Sequence, residues 1–132
     1  MTAGAKKILI VDDDADFIES VSCFLEANHF TVVKARDGHE GLKLAKMEHP
    51  DLILMDIMMD ERTEGLFTVQ ELRRVADLKD TPIFVLSALY AKVPDFEIRP
   101  DRGWLAHDEF LSKPVKMAEL LEKIRQRIGV PQ

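Results

Sequence analysis

Cysteine occurs once in these 132 residues, at Cys23, which excludes an internal disulfide and fits a reducing compartment. No cation stands near Cys23 in the sequence, so it reads as a small helix residue near the core rather than a reactive thiol. No apolar run is long enough to span a membrane. Lys6 and Lys7 precede only four apolar residues before three aspartates, too short a stretch for a signal-peptide core. Glycine and proline number six each and form no linker, repeat or low-complexity segment. Clustered positive charge is missing too. Lys and Arg number 18 against 24 Asp and Glu, a formal net charge of −6. The bases are interleaved with acids, as in Glu71-Leu72-Arg73-Arg74 and Glu122-Lys123-Ile124-Arg125. Nucleic-acid phosphates require the opposite arrangement, so both stretches read as solvated helix faces and no nucleic-acid partner is expected. These absences leave a cytoplasmic protein with no membrane contact, of a length that suits one core and not two.

What is present is a globular composition, 46% apolar and 32% charged. Apolar runs alternate with helical periods. Residues 7–12, 51–56 and 82–87 read as buried parallel strands, 30–35 as a fourth and 109–112 as a fifth. Between them, Phe17, Val21, Phe24 and Leu25 share one helix face, as do Leu42, Ala45 and Met47. Val69, Leu72 and Ala76 mark a third helix; Met117, Leu120, Leu121, Ile124 and Ile128 mark the last. Asp14 is placed to cap the first helix, and Asp37 with Glu40 three residues on forms a capping box for the second. Residues 89–107, with Pro94, Pro100 and Gly103, lack a clean period and predict an irregular stretch where a fourth helix would fall. Alternating strands and helices imply an α/β doubly wound parallel sheet with helices on both faces. Right-handed crossovers then bring every strand's carboxyl end to one edge, where ligands bind in such folds.

Two of those strands finish in carboxylates. Ile8-Leu9-Ile10-Val11 runs into Asp12-Asp13, and Leu52-Ile53-Leu54-Met55 runs into Asp56. Three acids at one edge exceed any capping need. They repel one another and lose hydration near a core, and the usual remedy is a hard divalent cation such as Mg²⁺. Ser87 and Ser112-Lys113 should reach the same edge. The four histidines, His29, His39, His49 and His107, fall in different elements and read as surface residues rather than ligands.

Val11-Asp12-Asp13-Asp14, Leu54-Met55-Asp56-Ile57-Met58-Met59, Val85-Leu86-Ser87-Ala88 and Phe110-Leu111-Ser112-Lys113-Pro114 together resemble the receiver domains of bacterial two-component response regulators. Each motif alone is weak. Four in order, each at a strand's carboxyl end, are specific, and the resemblance runs from residue 6 to about 128. It implies one receiver domain over residues 1–132, of the single-domain type, with a flavodoxin-like five-stranded sheet in the order 2-1-3-4-5. It also implies a signalling switch rather than an enzyme, one that assists its own phosphorylation and dephosphorylation. Asp56 would take a phosphoryl group from a sensor histidine kinase or a phosphotransfer protein. Asp12, Asp13, Asp56 and the carbonyl of Met58 would hold Mg²⁺, while Lys113 and Ser87 would contact the phosphoryl oxygens. Ser87 and Phe110 would then move as the switch and remodel the face made by residues 88–128. With no output domain after Ile128, the signal is expected to leave through protein contacts or onward phosphotransfer.

The sequence departs from the family in places. Asp60 stands where proline is common four residues after the acceptor, and Gly65 comes one residue late. Ala106-His107 replaces a usual Gly-Ala pair, and the connection from Ser87 to Lys113 is longer than usual. Trp104 in that connection is an anchor candidate for a partner or a cover for the sheet. Two rivals share the fold. One is a receiver-like binding module that is never phosphorylated and acts by constitutive contacts. The other is a flavin carrier, which Asp12-Asp13-Asp14 disfavours by repelling a phosphate.

Overall fold

Strand β1 (Lys7–Val11) leads into helix α1 (Ala15–Ala27), and the alternation continues through β2 (Thr31–Ala35), α2 (Gly38–Glu48) and β3 (Leu52–Asp56). A 3₁₀ turn (Ala76–Leu78) precedes β4 (Ile83–Ser87); β5 (Glu109–Ser112) and helix α3 (Met117–Ile128) follow. The computed structural model describes residues 6–56, 68, 71–87, 109–112 and 114–129. Residues 68 and 71–74 are helical, where the sequence predicted its third helix. The 89–107 segment and its Trp104 lie outside the described residues.

The parallel sheet runs β2-β1-β3-β4, as expected, and β5 ladders onto the outer side of β4. Alternation along the inner strands divides the apolar side chains between two cores. Ile8, Ile10, Leu52, Leu54, Phe84 and Leu86 face α1 and α3, while Leu9, Val11, Ile53, Met55, Ile83 and Val85 face α2 and the 71–78 stretch. These side chains are all but excluded from water, and each such burial is worth about 2 kcal/mol. Arg73 Nη1 donates to the carbonyls of Leu78, Lys79 and Thr81 at 3.2, 3.0 and 2.6 Å, which fixes the turn that delivers the chain to β4.

The helix boundaries follow from local chemistry. Asp14 caps α1: its carboxylate accepts from the Asp16 and Phe17 amides. At the far end the His29 amide donates to the Glu26 carbonyl and the Phe30 amide to Leu25. That is a Schellman closure with histidine, at φ 73°, in the left-handed position glycine usually takes. His49 ends α2 in the same region, at φ 48°. Asp37 caps α2 by accepting from the Glu40 amide at 2.8 Å, as expected, but the Glu40 carboxylate reaches the Arg36 amide and not that of Asp37. The reciprocal bond thus clamps one residue earlier.

Two inward expectations fail for one geometric reason. Cys23 is exposed, because at about 100° per residue it lies roughly 200° from Val21, and Ser22 takes the inward place. Met47 is 61% exposed, lying about 200° from the buried Ala45. The inward face of α1 also includes Ile18, with Phe17 and Phe24 at its margin.

Candidate functional site

Val11 pairs with Met55 across the β1–β3 ladder, so the next residue on each strand, Asp12 and Asp56, leaves the sheet at the same edge. The Asp12 amide still donates to the Ala35 carbonyl of β2 at 3.1 Å, which holds its backbone in the sheet. Its Oδ1 accepts from the Asp14 amide at 2.9 Å. One oxygen from each of Asp12, Asp13 and Asp56 lies within 4.8 Å of the others. Asp12 is 1% and Asp56 6% exposed; Asp13 is half-buried. Among the described residues no second group of three or more His, Cys, Asp or Glu side chains has such spacing.

The donor set is oxygen only and largely withdrawn from water. That chemistry fits a hard divalent cation and disfavours the thiolate and imidazole sites that select zinc. Mg²⁺ suits it well, because Mg²⁺ takes one or two carboxylates and fills its remaining positions with water or phosphate.

Of the other expected site residues, Ser87 ends β4, with its backbone opposite Ser112, one position beyond the Leu86 that pairs with Asp56. Its backbone therefore reaches the acidic edge. The Phe110 backbone pairs with Val85. The side chains of Ser87 and Phe110, together with Met58 and Lys113, lie outside the described residues, as do Asp60, Gly65, Ala106 and His107. His29, His39 and His49 are exposed and stand apart from the acids, as the sequence predicted.

A cleft of about 550 Å³ borders the start of α1, lined by Asp14, Asp16, Phe17, Ser20, Pro114, Val115 and Met117. On the exposed side of α1, Glu19 accepts from Lys34 Nζ at 3.3 Å and from Cys23 Sγ at 3.5 Å. The Lys34 bond, then the Cys23 bond, hold the Glu19 carboxyl below its ordinary range. The same carboxylate pushes the Cys23 thiol up, so Cys23 is less able to form a thiolate, in keeping with an unreactive role. Sequence reasoning missed what Asp14 does for Asp12. The signal was present, since an aspartate two residues before an amide commonly accepts from it.

Residues 8–125 match the family model described as the response regulator receiver domain. The chain is 30% identical over 124 residues to the polar-differentiation response regulator DivK of Brucella ovis, covering 94% of this chain and 97% of that protein. It is 36% identical over 119 residues to the DNA-binding dual master transcriptional regulator RpaA of Synechocystis, covering 90% of this chain but 47% of that one. The chain spans about half the length of several curated relatives of that kind. Its acidic charge therefore describes these residues alone. Among solved structures, the receiver domain of a sensor histidine kinase from Pseudomonas aeruginosa, with magnesium coordinated in its active-site cleft, superposes with a TM-score of 0.79. It is 25% identical, and the match covers 95% of this chain and 98% of that one. Receiver domains are phosphorylation-dependent switches of two-component signalling, and among the described residues no helix is long and apolar enough to cross a membrane. By sequence and by fold, this chain belongs to the response regulator receiver family.

Proposed function

We propose that the chain acts as one receiver unit in which Asp56 accepts a phosphoryl group, with Mg²⁺ held by Asp12, Asp13, Asp56 and the backbone carbonyl of Met58. The observation that carries this reading is the meeting of three carboxylates, two of them nearly buried, within 4.8 Å at the carboxyl edge. Family membership over residues 8–125 supports it. The donor is a sensor histidine kinase or a phosphotransfer protein. The cleft beside α1, part apolar and part acidic, offers that protein a contact surface.

In the reaction an Asp56 oxygen attacks phosphorus, a new P–O bond forms, and the donor's P–N bond breaks with its electron pair returning to the imidazole. Asp56 is nearly excluded from bulk water, so little hydration must be stripped before attack. When bound, Mg²⁺ neutralises charge on the carboxylates and on the phosphoryl oxygens. Lys113, carried just past β5 as the fifth strand of the receiver sheet, supplies a second positive group, and the Ser87 hydroxyl donates to the same oxygens. The phosphoryl adds a charge of about −1.5 to −2. Ser87 moves toward it, Phe110 turns inward, and the altered 88–128 face changes protein–protein contacts. The same groups assist loss of the phosphoryl to water. This reading places the unit in the cytoplasm, clear of membrane and nucleic acid.

Intact mass after incubation with Mg²⁺ and acetyl phosphate tests the reading, beside an Asp56→Asn control. One added phosphoryl group is expected, dependent on both metal and Asp56. No adduct, together with no Mg²⁺ binding, would overturn it in favour of a module acting by constitutive contacts.

A further inference from the structure

From Asp12 to Ile18 the backbone amides form a relay of hydrogen bonds, three to carboxylates and the last to a carbonyl. The Asp14 amide donates to Asp12 Oδ1 at 2.9 Å. The Asp14 carboxylate accepts from the Asp16 amide at 3.0 Å and from Phe17 at 3.2 Å. The Asp14 carbonyl accepts from the Ile18 amide at 3.0 Å, the first bond of the helix, and Ile18 is buried in the core. Asp14 itself is exposed and is not among the three acids that meet. We propose that Asp14 is a positioning residue for the cation site: by capping α1 it locks the turn whose amide aims the Asp12 carboxylate.

A cation held by few protein oxygens binds tightly only when those oxygens are already in place, and groups bonded to the ligands supply that order. Asp12 has its backbone tied to β2 and one carboxylate oxygen tied to the Asp14 amide. The second tie is only as firm as residue 14, whose φ of −89° and ψ of 103° are set by its own cap. Without the cap, the peptide between Asp13 and Asp14 is free to reorient, and the Asp12 carboxylate loses the tie that the Asp14 amide supplies. Charge makes a competing prediction. An exposed carboxylate near a cation site also raises affinity by long-range attraction, weakly and in a salt-dependent way.

The inference rests on the magnesium reading above, and one titration separates the two. Mg²⁺ is titrated into the whole chain at about physiological ionic strength and followed by backbone amide NMR shifts. Asp14→Ala removes cap and charge, Asp14→Asn and Asp14→Ser keep the cap without the charge, and Asp14→Glu keeps the charge on a side chain poorly suited to capping. Asp14→Ala and Asp14→Glu are expected to bind Mg²⁺ about three- to fivefold more weakly, as loss of a typical cap implies, with Asn and Ser within about twofold of the unaltered protein. A merely structural cap would lower the melting temperature and leave the Mg²⁺ affinity unmoved, which overturns the proposal. Rescue by Glu but not by Asn would assign the effect to charge and overturn it as well. An unaltered protein that does not titrate at all would remove the magnesium reading and this inference together.

Discussion

At the amino-terminal edge of the sheet, Lys7 Nζ meets Glu48 Oε1 at 2.9 Å, and the Lys7 amide donates to Asp51 Oδ2 at 2.8 Å. The Asp51 amide returns a bond to the Lys7 carbonyl at 2.7 Å. Lys7, Glu48 and Asp51 each have a partner of opposite sign or a backbone donor beside them, and the bonds join the start of β1 to the end of α2 and the turn into β3. At the carboxyl-terminal edge the same strands gather three acids within 4.8 Å, two of them nearly buried. One edge uses polar groups to close the fold. The other gathers like charge at short range, which creates affinity for a cation. Chemistry in such a sheet belongs at the edge where carboxylates converge.

The contrast can be broken most completely at Asp56. Asp56→Asn should abolish phosphoryl uptake outright and weaken Mg²⁺ binding, because one of the three clustered carboxylates is gone. Intact mass and a Mg²⁺ titration check both halves, and an unchanged Mg²⁺ affinity would refute a shared cation site. Next comes Gly41, where a Cβ would stand 2.7 Å from Val11 Cγ2 and 3.0 Å from Cγ1. Gly41→Ala should cost about 1–3 kcal/mol, and because Val11 leads directly into Asp12, it should weaken Mg²⁺ binding too. At the opposite edge, Asp51→Ala should cost about 1–2 kcal/mol by removing the acceptor for the Lys7 amide, with Mg²⁺ affinity unchanged. A loss of Mg²⁺ affinity there would erase the distinction between the edges. The smallest effect belongs to Glu19. Its carboxyl is held low by Lys34 and Cys23, so its contribution is present above its unfolded pKa and fades as pH falls through the lower folded value. Glu19→Gln should remove that acid-limb slope from a melting-temperature profile and change little near neutrality.

Much of this was legible in the sequence. The strands declared themselves because residues such as Ile8-Leu9-Ile10-Val11 are buried on both faces, which leaves an unbroken apolar run. The acids stood out because Asp12 and Asp56 each follow such a run, and parallel strands must end level. Asp14 and Asp37 were readable as caps because capping is local chemistry. The facing of a helix was less readable. Ile18 and Ser22 point inward while Cys23 and Met47 do not, and the deciding rotation depends on how the helix lies against strands distant in sequence. Gly41 gave no sign of its role, since its need is set by a Val11 methyl across the fold. The left-handed closures at His29 and His49 were hidden for another reason, because the usual marker of that conformation is glycine.

The division of the apolar side chains into two cores has a further consequence. Leu9 and Ile10 are neighbours in the chain, yet they belong to separate cores with the sheet between them. Double-mutant cycles across that partition should be close to additive, whereas pairs such as Leu9 with Ala45, within one core, are placed to couple. The sheet is thus an insulating wall between two packing compartments. The two runs of side chains can evolve nearly independently, and only the strand backbones and their ends are common to both.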